Sequence, residues 1–173
     1  MNCIEPFLEE KVPGLWTYYC CGQVDKVPNL FIAMSGARIR VLGALLYKFD
    51  IEGFLQWGFN FYYAIGSDYL TNPYLDTDWS GCVPAGDPFQ VYPGEDGRPL
   101  ASLRLMQVDE AMQDLRAMQK LESLAGRDAV LALIDEGLEK PLRFAQFPQG
   151  AACEEYVLNL RRRINEEIAK RTV

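Results

Sequence analysis

The chain contains no histidine. That absence removes Ser-His and Cys-His nucleophile pairs from its own chemistry and leaves carboxylate chemistry open. Its five cysteines include no C-x-x-C pair, so the spacing of a structural zinc site is missing and no metal is expected. Five is an odd number, and Cys20 and Cys21 are adjacent. Free thiols in a reducing compartment are the simplest reading, because disulfides are rare there. No apolar run reaches the roughly 18 residues that a membrane span needs. Basic residues are also scarce: 17 Lys and Arg against 24 Asp and Glu leave a net charge of −7. That balance argues against nucleic acid or an anionic membrane as a partner. Met1 is followed by Asn-Cys-Ile-Glu-Pro, with neither a basic nor an apolar leader segment, so the expected location is cytoplasmic. No internal repeat or low-complexity tract occurs.

What is present fits one ordinary globular domain: 173 residues, 49% hydrophobic and 24% charged. Residues 1–13 read as a lead-in, with a short helix broken before Pro13-Gly14. An aromatic-rich strand spans about 15–21 (Leu-Trp-Thr-Tyr-Tyr-Cys-Cys), followed by a polar loop at 22–28. The apolar spacing of Val41, Leu42, Leu45, Leu46 and Phe49 predicts a helix within 29–48. The stretch 54–62 is apolar on both faces, as a covered parallel strand would be. A long loop at 64–88 holds several Asp, Gly, Pro and aromatic residues, and loops of that length are commonly functional. A third strand lies near 89–92. Turns follow at Pro93-Gly94 and Asp96-Gly97. A helix from Ser102, a candidate N-cap, ends at Gly126. Shorter and longer helices are predicted at 129–136 and 153–170, and the run Arg161-Arg162-Arg163 reads as a solvated helix face.

Three successive strand–helix units imply a parallel α/β sheet with right-handed crossovers. Three strands alone would leave two open edges. The pattern therefore reads as the last three βα units of an eight-stranded, TIM-like barrel, followed by C-terminal helices. Such barrels place working residues at the C-terminal ends of strands. Trp57 and Asn60 close one strand: an indole can stack on the apolar face of a sugar, and an Asn can hydrogen-bond its hydroxyls. Tyr18 and Tyr92 occupy similar positions. Asp87, just before a strand, can bind a sugar hydroxyl or fix a local turn. Arg40 and Arg104 fall in first helical turns, where the helix dipole does not favour a cation, so a carboxylate partner is expected for each. Strand ends carrying Trp, Asn and Tyr, with no histidine, point to a carbohydrate pocket.

Leu15 to Cys21, Arg40 with Leu42-Gly43 and Tyr47-Lys48, Gly53-Phe54-Leu55, Trp57 and Asn60 occur in a distinctive order. Asn72-Pro73, Gly86-Asp87, Val91-Tyr92-Pro93-Gly94, Ser102-Leu103-Arg104-Leu105 and Asp114 continue it. In this order and spacing the chain resembles the C-terminal part of the glycoside hydrolase family 123-like catalytic domain. The resemblance divides the chain into the lead-in 1–13, a barrel portion 14–125 and a helical tail 126–173 packed on the same domain. It implies an enzyme of the β-N-acetylgalactosaminidase type that acts on amino-sugar glycosides without a cofactor. There the substrate's own acetamido group is the nucleophile, assisted by an adjacent Asp-Glu pair, an exception to the two-carboxylate scheme. The family's Asp-Glu pair lies on an earlier strand. Asp109-Glu110 is such a dipeptide, but it falls within the helix after the last strand and reads as structural. Met106, Ala111, Gln113, Leu115 and Ala44 also depart from commoner family residues.

The expectation is a chain that supplies pocket walls (Trp57, Asn60, Tyr92, Asp87, Tyr18) without the catalytic carboxylates, inactive by itself and working as a homo-oligomer or with a complementary barrel fragment. A non-catalytic carbohydrate-binding or scaffold module is the alternative.

Overall fold

Helix α2 (Gly36–Lys48) is the centre of the molecule: Ile39 and every residue from Val41 to Tyr47 are buried. A helix that is apolar all round is stable only when it is covered all round. In this computed structural model, which describes residues 4–24 and 27–172, it is covered by three later helices. These are α3 (Leu103–Ala125), α4 (Arg127–Asp135) and α5 (Ala151–Arg171). The short α1 (Glu5–Glu9) lies in the lead-in. Lead-in residues 1–3 and loop residues 25–26 lie outside the described residues, as does 173. Among the described residues no helix is long and apolar enough to cross a membrane.

Local signals set the helix ends. The Ser35 hydroxyl accepts from Arg38 N at 3.3 Å and starts α2. The predicted start at 29 is therefore too early: Asn29 is buried in the preceding loop, donating to Cys20 O and Gln23 O. Ser102 caps α3 through Leu105 N at 3.2 Å, and Gly126, at φ +83°, ends it. Arg127 donates to the carbonyls of Tyr47 and Lys48, which terminates α2 with a cation where the dipole favours one.

Helices α2 and α3 touch backbone to backbone. A Cβ added at Gly43 would sit 2.1 Å from Ala111 O, so the contact requires glycine. Beside it, Arg40 makes a two-pronged bond to Asp114 at 2.5 and 2.8 Å and approaches Glu110 at 3.3 Å. Arg161 reaches the same Asp114 at 2.8 Å. The carboxylate expected for Arg40 is thus Asp114, and Glu110 adds a second structural ion pair from α3 to this α2 arginine. The arginine run is not simply a solvated face. Arg161 binds Asp114, Arg163 pairs with Glu136 and donates to Leu133 O, and only Arg162 makes an exposed pair along its own helix.

The architecture is mixed α/β with short strands. Strand β1 (Trp16–Tyr18) pairs in parallel with β2 (Gly53–Leu55), in the register Trp16↔Gly53 to Tyr18↔Leu55, with α2 as the crossover. The expected set of three parallel strands does not form. Strand β3 (Val91–Pro93) pairs antiparallel with β4 (Pro99–Ala101), a hairpin closed around Asp96-Gly97. Residues 59–61 run antiparallel beside 88–90, with Asn60 bridged to Phe89. The reason is at Gly58: a Cβ there would lie 2.3 Å from Asp87 O, so the chain bends under 87–88 instead of continuing β2 to residue 62. For β3, a local Asp-Gly turn costs less loop entropy than a distant parallel partner.

One face of the β1–β2 pair carries Thr17 and Phe54 toward the helices. The other leaves Trp16 (63%), Tyr18 (55%) and Leu55 (47%) open to solvent.

Replacing Gly43 by Ala should lower unfolding free energy in a urea titration by about 2 kcal/mol. Overpacking against a backbone carbonyl outweighs the roughly 1 kcal/mol gain in helix propensity. Gly36→Ala should leave stability within about 0.5 kcal/mol, because its added Cβ meets only the flexible Gln107 side chain.

Candidate functional site

Beyond Leu55 the chain carries Trp57 into a triangle of rings. Trp57 and Trp79 meet edge-on at 5.8 Å and 67°, Phe61 and Trp79 at 5.6 Å and 66°, and Trp57 and Phe61 lie 6.1 Å apart. Trp79 comes from the long loop, and a short run of side-chain-stapled turns positions it. Asp76 Oδ1 accepts from Asp78 N (3.2 Å) and Ser80 N (3.0 Å), and Asp78 Oδ1 accepts from Gly81 N (3.0 Å). The amide bonds from Ser80 and Asp78 hold the Asp76 carboxyl below its ordinary range. Trp79 and Ser80 adopt positive φ there, at +52° and +56°.

Asp87 lies against this triangle and is 1% exposed. Burial pushes its carboxyl up to about 6. The Trp57 indole, the Cys21 amide and the Arg104 charge oppose that rise without cancelling it. The indole faces the carboxyl but does not complete a hydrogen bond: Trp57 Nε1 and both Asp87 oxygens are buried without a partner. Trp79 Nε1, Gln56 Oε1 and Gln90 Oε1 are left in the same condition. Buried polar atoms are normally paired, and donors and acceptors left open together are a ready place for a polar ligand.

Arg104 is buried and donates to Leu30 O and Gly86 O at 2.6 Å each and to Phe89 O at 2.9 Å. The expected carboxylate partner is replaced by three carbonyls; Asp87 contributes only a through-space attraction. Burial lowers the Arg104 pKa from its usual value, and Tyr92 and Asp87 oppose that fall. Gly86, at φ +84°, is required here, since a Cβ would lie 2.6 Å from the guanidinium.

Tyr92 joins a second aromatic group, with ring distances of 5.1 Å to Tyr74 and 5.2 Å to Phe89. Tyr62 borders it, its hydroxyl donating to Val91 O at 2.7 Å. The structure therefore brings Trp57 and Asp87 together directly and links Tyr92 to them through Arg104 and Phe89. It does not bring in Tyr18, which lies on the open face of β1, or the exposed Asn60, whose backbone forms the bridge to Phe89. Trp79, Phe61, Gln90 and Tyr74 were not singled out from the sequence. The available signal was the aromatic content of the long loop and its Asp-x-Asp-x-Ser-Gly spacing, which predicts the stapled turn.

Chemically, a carboxyl poised near neutrality accepts hydrogen bonds when ionised and donates one when neutral, while the indole faces offer stacking surface. Among the described residues no cluster of three or more His, Cys, Asp or Glu is arranged to hold a metal.

The family model described as the glycoside hydrolase 123 catalytic domain matches residues 3–121 of the chain. A search of curated proteins finds no match.

The raised Asp87 carboxyl makes stability depend on pH in a defined direction. The unfolded group titrates near about 3.9 and the folded one at about 6. Between those values the folded chain holds the proton that the unfolded chain has lost, so stability falls as pH rises through that window and then levels. The expected loss is on the order of 2–3 kcal/mol. Chemical denaturation from about pH 4 to about pH 7 should show it, and Asp87→Asn should flatten that part of the curve.

Proposed function

The chain belongs to the glycoside hydrolase 123 catalytic-domain family, and from that premise we propose that it supplies the sugar-binding wall of a glycoside hydrolase acting on N-acetylated amino sugars. The observation that carries this reading is the buried, unpartnered Asp87 carboxyl beside the Trp57–Trp79–Phe61 rings. The rings offer an apolar face to a pyranose. The carboxylate accepts from a hydroxyl or an acetamido N–H, and the indole N–H groups donate to sugar oxygens. Tyr92 extends the wall, while Tyr18 and Asn60 stand outside it.

The catalytic Asp-Glu pair of a substrate-assisted retaining mechanism comes from outside this chain. Asp109-Glu110 is not that pair: it lies within α3, where Glu110 is engaged by Arg40. The chain then acts as part of a β/α barrel whose remaining strands, and with them that pair, come from polypeptide outside these 173 residues. The open face of the β1–β2 pair, with Trp16, Tyr18 and Leu55 exposed, supports this, because parallel sheets are normally covered on both faces. The same open face also accommodates the second reading, a carbohydrate-binding or scaffold module without catalysis.

The chain alone should not hydrolyse a chromogenic β-N-acetylgalactosaminide above background. It should bind N-acetylgalactosamine with a change in tryptophan fluorescence. Trp57→Ala should weaken that binding about tenfold, and Asp87→Asn should weaken it by about 10- to 100-fold. Turnover that disappears on changing one of this chain's own carboxylates would overturn the wall assignment. Unaltered binding in both variants would remove the pocket. Sedimentation at micromolar concentration should show self-association, and a monodisperse, cooperatively melting monomer would refute the requirement for a partner.

A further inference from the structure

The vicinal thiols Cys20 and Cys21 have no part in the wall described above, yet they sit beside it. Both follow β1 and open a turn in which Gln23 N donates to Cys20 O at 3.1 Å. Cys20 is pinned from both sides: its N–H donates to Gln23 Oε1 at 2.9 Å, and its carbonyl accepts from Asn29 Nδ2 at 2.9 Å. Cys21 is exposed, Cys20 partly so, and both are free thiols. Burial, with the Cys20 side chain beside it, holds the Cys21 thiol above its usual range, so its thiolate forms more readily at higher pH. Gly22, next along the turn, has open space on its side-chain side.

We propose that Cys20 and Cys21 form a reversible thiol–disulfide modification site whose oxidant is a low-molecular-weight disulfide such as oxidised glutathione. One cysteine thiolate attacks the small disulfide, forming a mixed disulfide and releasing one small thiol. The neighbouring thiolate then attacks the protein-bound sulfur, forming the Cys20–Cys21 bond and releasing the second small thiol. Two protein thiols are oxidised and one small disulfide is reduced. The two protons leave on the two released thiols. The second step is intramolecular and needs no rearrangement of distant chain, because the two thiols are on adjacent residues.

The bond formed is a labile one. Adjacent Cα atoms are about 3.8 Å apart across a trans peptide, below the roughly 4.4–6.8 Å that disulfides ordinarily span. Strained, exposed disulfides are readily reduced, which suits a reversible site and not a structural staple. Closing the ring also reorients the peptide between the two cysteines. That peptide carries the Cys21 amide that faces Asp87, so oxidation reaches the carbohydrate wall proposed above. The chemical test below is independent of whether sugar binds there.

Trypsin releases both cysteines in one peptide, 12–26, which contains no other cysteine. The full-length native chain is exposed to oxidised glutathione, then quenched with acid and digested. The expected result is peptide 12–26 lighter by two hydrogens, with no adduct, and restored by a phosphine reductant. Cys20→Ser and Cys21→Ser should each abolish the loss and retain a glutathione adduct instead, while Cys82→Ser should leave it unchanged. A persistent adduct on the unsubstituted peptide, a crosslink from it to another cysteine peptide, or no modification would overturn the proposal.

Discussion

The Arg104 guanidinium donates to the carbonyl oxygens of Leu30, Gly86 and Phe89, three segments that belong to no common sheet. The loop before α2, the end of the long loop and the lead into β3 converge on one planar fork at the start of α3. Guanidinium suits this because its N–H donors are fixed in a plane and its charge persists even when burial lowers its pKa. A lysine could donate as many bonds but not in that geometry. The Asp87 side of the candidate site follows from this anchor. Gly86 has to lie against the guanidinium, so Asp87 is carried inward, and Phe89 is positioned to meet Tyr92 edge-on and to pack at a tilt against Tyr62.

The anchor also explains why Asp87 stands so near neutrality. An arginine beside a carboxylate usually holds it ionised. Here the hydrogen bonds of Arg104 go to carbonyls, so only its through-space charge reaches Asp87, and desolvation prevails. The carboxyl is left without a bonded partner among rings that also bury unsatisfied N–H groups. Buried polar atoms left open are costly, and under the proposed function a polar ligand completing those bonds would recover part of that cost.

Much of this was legible from residues. The β1–α2–β2 unit follows from apolar spacing, Ser102 and Gly126 bound α3 through cap chemistry, and Arg40 found the carboxylate that a cation at a helix start requires. Trp57 and Asp87 stood out in the sequence as candidate residues, and the structure places them side by side. The third strand was not legible as it stands. Its composition fits a parallel partner equally well, and the outcome turned on whether Asp96-Gly97 closed a hairpin first. The partners of Arg104 were hidden because backbone carbonyls leave no mark in a sequence. Trp79 was hidden because its place depends on two Asp-stapled turns, whose geometry and not whose hydrophobicity brings it to Trp57.

The helical side of the molecule and its sheet side solve different problems. Every face of α2 is occupied, and its close contact with α3 leaves no room for a methyl group at Gly43. The β1–β2 pair is covered on one face only. Thr17 and Phe54 point to the helices, Phe54 packing on Tyr19 at 5.4 Å, while Trp16, Tyr18 and Leu55 carry interior chemistry into solvent. Antiparallel sheets tolerate one wet face by alternating polar residues along it, but these strands place aromatic and branched side chains there instead. The two strands are also only three residues long, too short to owe their stability to their own ladder. Their register is extended by Glu52 N donating to Leu15 O just before the strands and is backed by α2, which spans the crossover. A sheet fixed from behind, with an apolar front and free edges, needs no refolding to accept further strands. A second polypeptide would meet a surface already in place, with the unpartnered polar atoms of Trp57 and Asp87 just beyond the end of β2.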